Sequence, residues 1–179
     1  DIQGRFLRFE DTRETIEKEL RKKSFLVPSL GEAKGNGIKA NLFWENAEYM
    51  FGIPMRENSK PERVAEQHAA FKRKIHSLPV PQNQCTVVEA VKRFTDHLDT
   101  VAVTNDPQWP AVKELNQPLL LAVNGIGAVT DDAGVREAVQ QASREQLTGE
   151  KGLCLVTGDA EIITLLEDTI SGVQGASTM

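Results

Sequence analysis

Cysteine is scarce in this chain: Cys85 and Cys154 are two among 179 residues, and neither has a CxxC partner. Both lie in apolar surroundings, which suits buried thiols in a reducing compartment better than a disulfide framework. Histidine is nearly as rare. His68, His76 and His97 share no metal-ligand spacing with one another or with a cysteine, so no zinc ligand set is legible. His68 falls on an apolar helical face, and His97 sits beside Asp96 and Asp99 as a surface residue would. Nowhere does an apolar run reach the roughly eighteen residues a membrane helix needs, and no basic-then-apolar leader is visible. No GxSxG surrounds a serine, and for covalent catalysis Cys85 would need a histidine base brought close to it in space. Gly125-x-Gly127 follows an apolar run, but Thr130 stands where a dinucleotide fingerprint has its third glycine. Asp131-Asp132 and Asp159 with Glu161 read as helix caps and first-turn partners of the helix dipole rather than a catalytic carboxylate pair. These absences lead to a chain that is not an enzyme and carries no cofactor or metal.

What is present is ordinary in bulk, with 40% hydrophobic and 26% charged residues, and long enough to bury a core. The net charge of −5 hides an asymmetry. Residues 1–93 carry 17 Lys and Arg against 13 Asp and Glu, whereas residues 94–179 carry 4 against 13. A polyanion would meet the first half and be repelled by the second. Two basic clusters, Arg21-Lys22-Lys23 and Lys72-Arg73-Lys74, are candidates for phosphate contacts, although such runs are usually solvated faces. The chain opens on Asp1 and ends on the small-residue tail SGVQGASTM, as a piece of a longer protein would.

Periodicity and capping signals predict an α+β domain of antiparallel hairpins packed with three to four helices, a single domain with a helical lobe. Residues 4–10 and 24–28 read as strands, the second buried. Residues 13–23, with alternating charge signs, read as a short exposed helix or a charged hairpin arm. Residues 38–44 and 47–53 read as a hairpin around Glu45-Asn46, with a short helix through 46–51 as the rival. The clearest helix is 61–78, with a Ser59/Glu62 capping box and the stripe Val64, His68, Phe71, Ile75, Leu78. A second runs 87–98 behind Thr86 and Glu89. Residues 104–118 read as a loop pinned by Trp109. Asn124-Gly125 predicts a hairpin between 119–123 and 126–130, followed by a helix to about 146 capped by Asp131 or Asp132. A buried strand at 152–157 and a short helix at 160–166 complete the set. The chain divides into a strand-rich part (1–58), a helical part (59–117) and a hairpin-helix-strand part (118–179).

Residues 36–52, NGIKANLFWENAEYMFG, stand apart, holding four of the chain's ten aromatics beside a lone lysine and two amides before Asn46. An asparagine can offer donor and acceptor to a base edge, and a lysine can donate to base acceptors or phosphate. With Phe25-Leu26-Val27-Pro28 ahead of it, the stretch resembles a pattern like SGIxPNxLWDNxxYxLG. That pattern belongs to the N-terminal region of the large subunit of the type I-C CRISPR surveillance complex (Cascade, Csd family). Against that pattern this chain has Gly37-Ile38-Lys39, Asn41-Leu42, Trp44, Asn46, Tyr49 and Gly52. Ala65-Glu66-x-His68-Ala69-Ala70-Phe71, Cys154-Leu155-Val156-Thr157-Gly158 and Gly172-Val173-x-Gly175-Ala176 extend the resemblance along the chain. Asn36, Ala40 and Glu45 stand where the family has serine, proline and aspartate.

The resemblance implies a non-catalytic, cytoplasmic subunit of an RNA-guided DNA surveillance complex in antiviral defence. Such a subunit recognises the protospacer-adjacent motif (PAM) on double-stranded target DNA. Guide-RNA pairing supplies the remaining specificity. Its partners would be the other Cascade subunits, the guide RNA and a recruited helicase-nuclease, with no membrane involved. On this basis Asn41 and Lys39 are expected to read the PAM, with Lys34 and Asn36 supporting them on the DNA backbone. The rival is a module that docks on a neighbouring subunit or on the guide-RNA handle without reading bases.

Overall fold

The computed structural model of the chain describes residues 1–16, 19–28, 37–79, 86–146, 151–153, 158 and 160–162. Its fold is α+β, with six α-helices and four two-stranded antiparallel pairs among the described residues. Two compact units are distinguished, Asp1–Val139 and Gln140–Met179.

The first unit is built on α2 (Pro61–His76). Pro61 sits in its first turn, where a missing N–H costs nothing. The predicted stripe faces inward: Val64, Phe71 and Ile75 are 2%, 0% and 0% exposed. The expected capping box does not form. Lys60 takes the N-cap without a side-chain bond, and the Ser59 hydroxyl donates to the Glu48 carboxylate instead. A hydrogen bond to a charged acceptor is roughly twice as strong as a neutral one, so the carboxylate wins the hydroxyl from the helix end. Against α2 pack α1 (Ala47–Phe51) and α3 (Thr86–Asp96), and α3 buries Val87, Val88, Ala90, Val91 and Phe94.

Helix α1 replaces the hairpin expected around Glu45-Asn46. Asn46 is its N-cap, its Oδ1 accepting from the Glu48 and Tyr49 N–H groups at 3.1 and 3.3 Å. The asparagine read as a turn residue is therefore a cap, and the short-helix rival is the form adopted. Gly52 ends the helix at φ +68°, and a Cβ there would lie 3.2 Å from His68 Cγ. His68 Nδ1 is meanwhile 3.0 Å from the Tyr49 carbonyl oxygen.

Helix α4 (Thr100–Thr104) ends where the proline-broken loop was expected to begin, and that stretch, 104–118, holds a helix of its own, α5 (Trp109–Leu115). Asp99 caps α4 through the Val101 and Ala102 N–H groups, and Pro110 falls in the first turn of α5. Pro107 and Pro118 lie outside both, so none of the three prolines interrupts a helix. Trp109 does pin this region: it stacks on Phe9 at 6.1 Å and meets Phe51 edge-on at 6.4 Å.

The strands expected at 4–10 and 24–28 do not form. The first segment is held by side chains rather than a ladder, with the Phe9 N–H on Asp106 Oδ2 (3.2 Å) and the Gln108 amide on the Phe9 carbonyl (3.1 Å). Gly4 lets it approach α3, since a Cβ at φ +83° would stand 2.6 Å from Arg93 Cβ. In the second segment Leu26 is 84% exposed, so this is no buried strand. Of the two forms expected for residues 13–23 the strand pairing is adopted, β1 (Arg13–Ile16) running antiparallel to β2 (Glu19–Lys22).

Strand β3 (Trp44–Glu45) pairs with β4 (Leu119–Leu120), and the predicted Asn-Gly hairpin joins β5 (Ala122–Val123) to β6 (Gly127–Ala128). The Leu121 N–H donates to Phe43 O and the Val129 N–H to Leu121 O, linking the two pairs. A 3₁₀ turn, Val129–Asp131, leads to α6 (Ala133–Gln146), capped by Asp132 through the Val135 N–H at 2.9 Å. In the second unit β7 (Lys151–Leu153) pairs with β8 (Ala160–Ile162). The expected helix at 160–166 thus begins as a strand, and its remainder lies outside the described residues. The expected buried strand at 152–157 is described only to Leu153, which is 69% exposed. Cys85 and Cys154 lie outside the described residues.

Candidate nucleic-acid interface

Residues 37–45 pass from surface to core within a few positions. Gly37 and Lys39 are exposed and Ile38 is half-buried. Ala40, Asn41, Leu42 and Phe43 follow at 8%, 3%, 7% and 0% exposure. Phe43 adopts φ +68°, which a bulky residue tolerates only where the surroundings hold it. Here its ring is fully buried and its carbonyl accepts the Leu121 N–H at 2.9 Å.

The segment is fastened by Glu45, itself 3% exposed. Its Oε1 accepts the Asn41 N–H at 3.0 Å and its Oε2 accepts the Asn46 N–H at 3.1 Å. One buried carboxylate thus ties the incoming loop to the start of α1, and its charge is met by backbone donors. Trp44 adds a third tie, its indole N–H reaching the Pro28 carbonyl at 3.2 Å.

Of the predicted site residues, the fold puts Lys39 at the surface and Asn41 in the core of the same loop. The Asn41 Oδ1 has no hydrogen-bond partner among the described residues. Lys34 and Asn36 lie outside the described residues. The aromatics that made the stretch conspicuous face inward: Phe43, Tyr49 and Phe51 are 0%, 6% and 4% exposed. Phe51 meets Phe9, Phe94 and Trp109 with centroids 5.9–6.4 Å apart.

Over residues 1–179 the chain matches the family described as CRISPR-associated protein (Cas_Csd1). The chain belongs to that family. No curated protein matches it. As a CRISPR-associated protein of the Cas_Csd1 family, it works with other components of CRISPR complexes. Among the described residues, no helix is long and apolar enough to cross a membrane.

Three members of the two basic clusters of this Cas_Csd1 chain, Arg21, Lys23 and Lys72, sit beside acidic neighbours. Lys72 Nζ lies 2.7 Å from Asp96 Oδ1, and the hydrogen bond from Lys72 holds the Asp96 carboxyl below the usual carboxylate range, with His76 and His97 adding to the effect. Arg21 pairs with Glu19 at 3.6 Å and Lys23 with Glu14 at 3.5 Å. Sequence reasoning passed over another group, Arg56, Lys60 and Arg63. They line a cavity of about 420 Å³ with Gln67 and Asn116. The i, i+3 spacing of Lys60 and Arg63 at the start of α2 was the available signal; Asn116, far along the chain, had none.

Proposed function

We propose that this chain is a non-catalytic part of an RNA-guided DNA surveillance complex and contacts duplex DNA at the PAM through the loop that ends at Asn41. The observation that carries the reading is the mount. Exposed Lys39 stands two residues before a backbone clamped by Glu45, so a cation projects from a loop whose base is fixed. A reader needs that rigidity, because bidentate or single base contacts discriminate only when their donors are held in register. The basic excess of residues 1–93 favours approach of a polyanion to this half of the chain.

In this reading Lys39 meets the DNA directly, with Lys34 and Asn36 on the backbone nearby. Asn41 keeps its N–H on Glu45 and brings its carboxamide to a base edge by swinging the buried side chain outward, so its role includes that rotation. The partners are double-stranded target DNA, the other subunits with their guide RNA, and a recruited helicase-nuclease, all in the cytoplasm. The docking alternative would set the aromatics of residues 43–51 against a neighbour, and burial of Phe43, Tyr49 and Phe51 inside the chain's own core weighs against it.

The test is salt-titrated binding of PAM-bearing and PAM-scrambled duplexes to the assembled complex containing Lys39→Ala or Asn41→Ala. Loss of a base contact should weaken PAM-dependent binding by about 1–3 kcal/mol. Unchanged binding and sequence preference in both variants would overturn the assignment.

A further inference from the structure

Residues 119–123 run through β4 and β5 with only Leu121 between the two strands. Leu121 donates its N–H to the Phe43 carbonyl at 2.9 Å and accepts the Val129 N–H at 3.0 Å. In an extended strand the N–H and C=O of one residue point to the same edge, and those of its two neighbours point to the other. Strands β3 and β6 therefore lie end to end on one edge of the run. Leu120 and Ala122 turn their N–H and C=O groups to the opposite edge. Each strand pair stops at two strands, and no hydrogen bond among the described residues reaches those four groups. Natural proteins blunt an open edge with lysine or proline, and neither occurs in Leu119–Val123.

The run shares a cavity of about 600 Å³ with residues 4–14. Phe6, Phe25, Leu120 and Leu121 line it half-buried and Leu7 lines it exposed, so apolar surface that water still reaches flanks the open main chain. The side-chain charges of the lining balance. Arg5 lies beside Asp1, Arg8 beside Glu10, Arg13 beside Asp11 and Lys23 beside Glu14. With each cation already facing a carboxylate, the lining does not attract a phosphate backbone. Such a backbone also brings acceptors without donors, whereas Leu120 and Ala122 present both. An extended peptide supplies both along one edge, at the spacing of a strand. We infer that an uncharged, extended segment of another protein, with apolar residues at alternate positions, adds as a strand along Leu120 and Ala122 and lays its apolar side chains in this cavity. Main-chain bonds supply the affinity, and the cavity selects the side chains. The surface does not include Lys39, so it does not depend on the loop reading DNA.

The experiment is hydrogen-exchange NMR of the full chain, alone and with a capped Thr-Val-Thr-Val-Thr-Val peptide. Alone, the Leu120 and Ala122 amides should exchange faster than the Leu121 amide, which is already bonded. Protection of all three alike in the free chain means a closed edge and overturns the proposal. Protection that grows with protein concentration identifies a second copy as the occupant and overturns it too. The peptide should slow exchange at Leu120 and Ala122 and leave Leu121 unchanged. N-methylating the three valines, or instead the three threonines, removes the N–H groups of one peptide edge or the other. One set should weaken binding about tenfold or more and the other should not. Equal effects of the two sets, or no protection by the unmethylated peptide, overturn the proposal. Ala122→Pro deletes an unpaired donor at an edge position where proline is tolerated, and should abolish peptide binding. If Ala122→Pro does not fold, the exchange and methylation comparisons still decide. A thymidine hexanucleotide that protects the same two amides as well as the peptide does would identify nucleic acid and overturn the proposal. Duplex binding through Lys39 is read in a different assay, so failure here leaves the loop proposal where it stood.

Discussion

Two regions a few residues apart have opposite fates. Residues 40–51, the most conspicuous part of the sequence, are mostly interior, whereas Arg56, Lys60 and Arg63 lie open around a polar cavity. Aromatics and amides in a run resemble a recognition surface, yet they equally describe a tightly capped helix entering a core. Three scattered cations and a distant asparagine look like nothing in a sequence, yet the fold gathers them. Conspicuous composition measures packing demand as readily as function, and juxtaposition across the chain is what composition omits.

The difference between the two regions can be broken experimentally. Phe43→Ala should cost about 3–5 kcal/mol in denaturant unfolding, the usual loss for a fully buried phenylalanine. A value near zero would return the stretch to the surface. Glu45→Ala leaves the Asn41 and Asn46 amides without their acceptor and should cost about 1–3 kcal/mol by the same measurement. Gly52→Ala, forced to φ +68° against His68, should lose about 1–2 kcal/mol. On the open side, Lys60→Ala and Arg63→Ala should change stability by no more than about 0.5 kcal/mol.

The smallest effect concerns pH. Because the Asp96 carboxyl is held below its ordinary value by Lys72, the Lys72–Asp96 contact between α2 and α3 stabilises the fold at neutral pH. That contribution is present above the ordinary carboxylate value of 3.8 and is lost as pH falls through the lowered one. Thermal melts of Asp96→Asn should therefore converge on the parent chain in strong acid. The pair is well exposed, so the separation at neutral pH should be small.

How much was legible follows the same division. Helices α2 and α3 were readable because their stripes repeat on one face and burial of that face decides the element. The Asn-Gly hairpin was readable because a tight turn demands its residues. Helix α1 was misread because Asn46 serves a turn and an N-cap equally well, and five residues give too little periodicity to choose. Residues 4–10 look like a strand but find their partners in the Asp106 and Gln108 side chains, nearly a hundred positions away. Lys39 was legible as a surface cation, whereas the burial of Asn41 depends on Glu45 turning back to hold it.

That same carboxylate has a kinetic consequence. The amide protons of Asn41 and Asn46 end on its two oxygens, so displacing a single side chain unlatches both. The two amides should therefore open as one unit and show a common opening free energy in hydrogen exchange. Excursions of the loop away from the core would be timed by that one event.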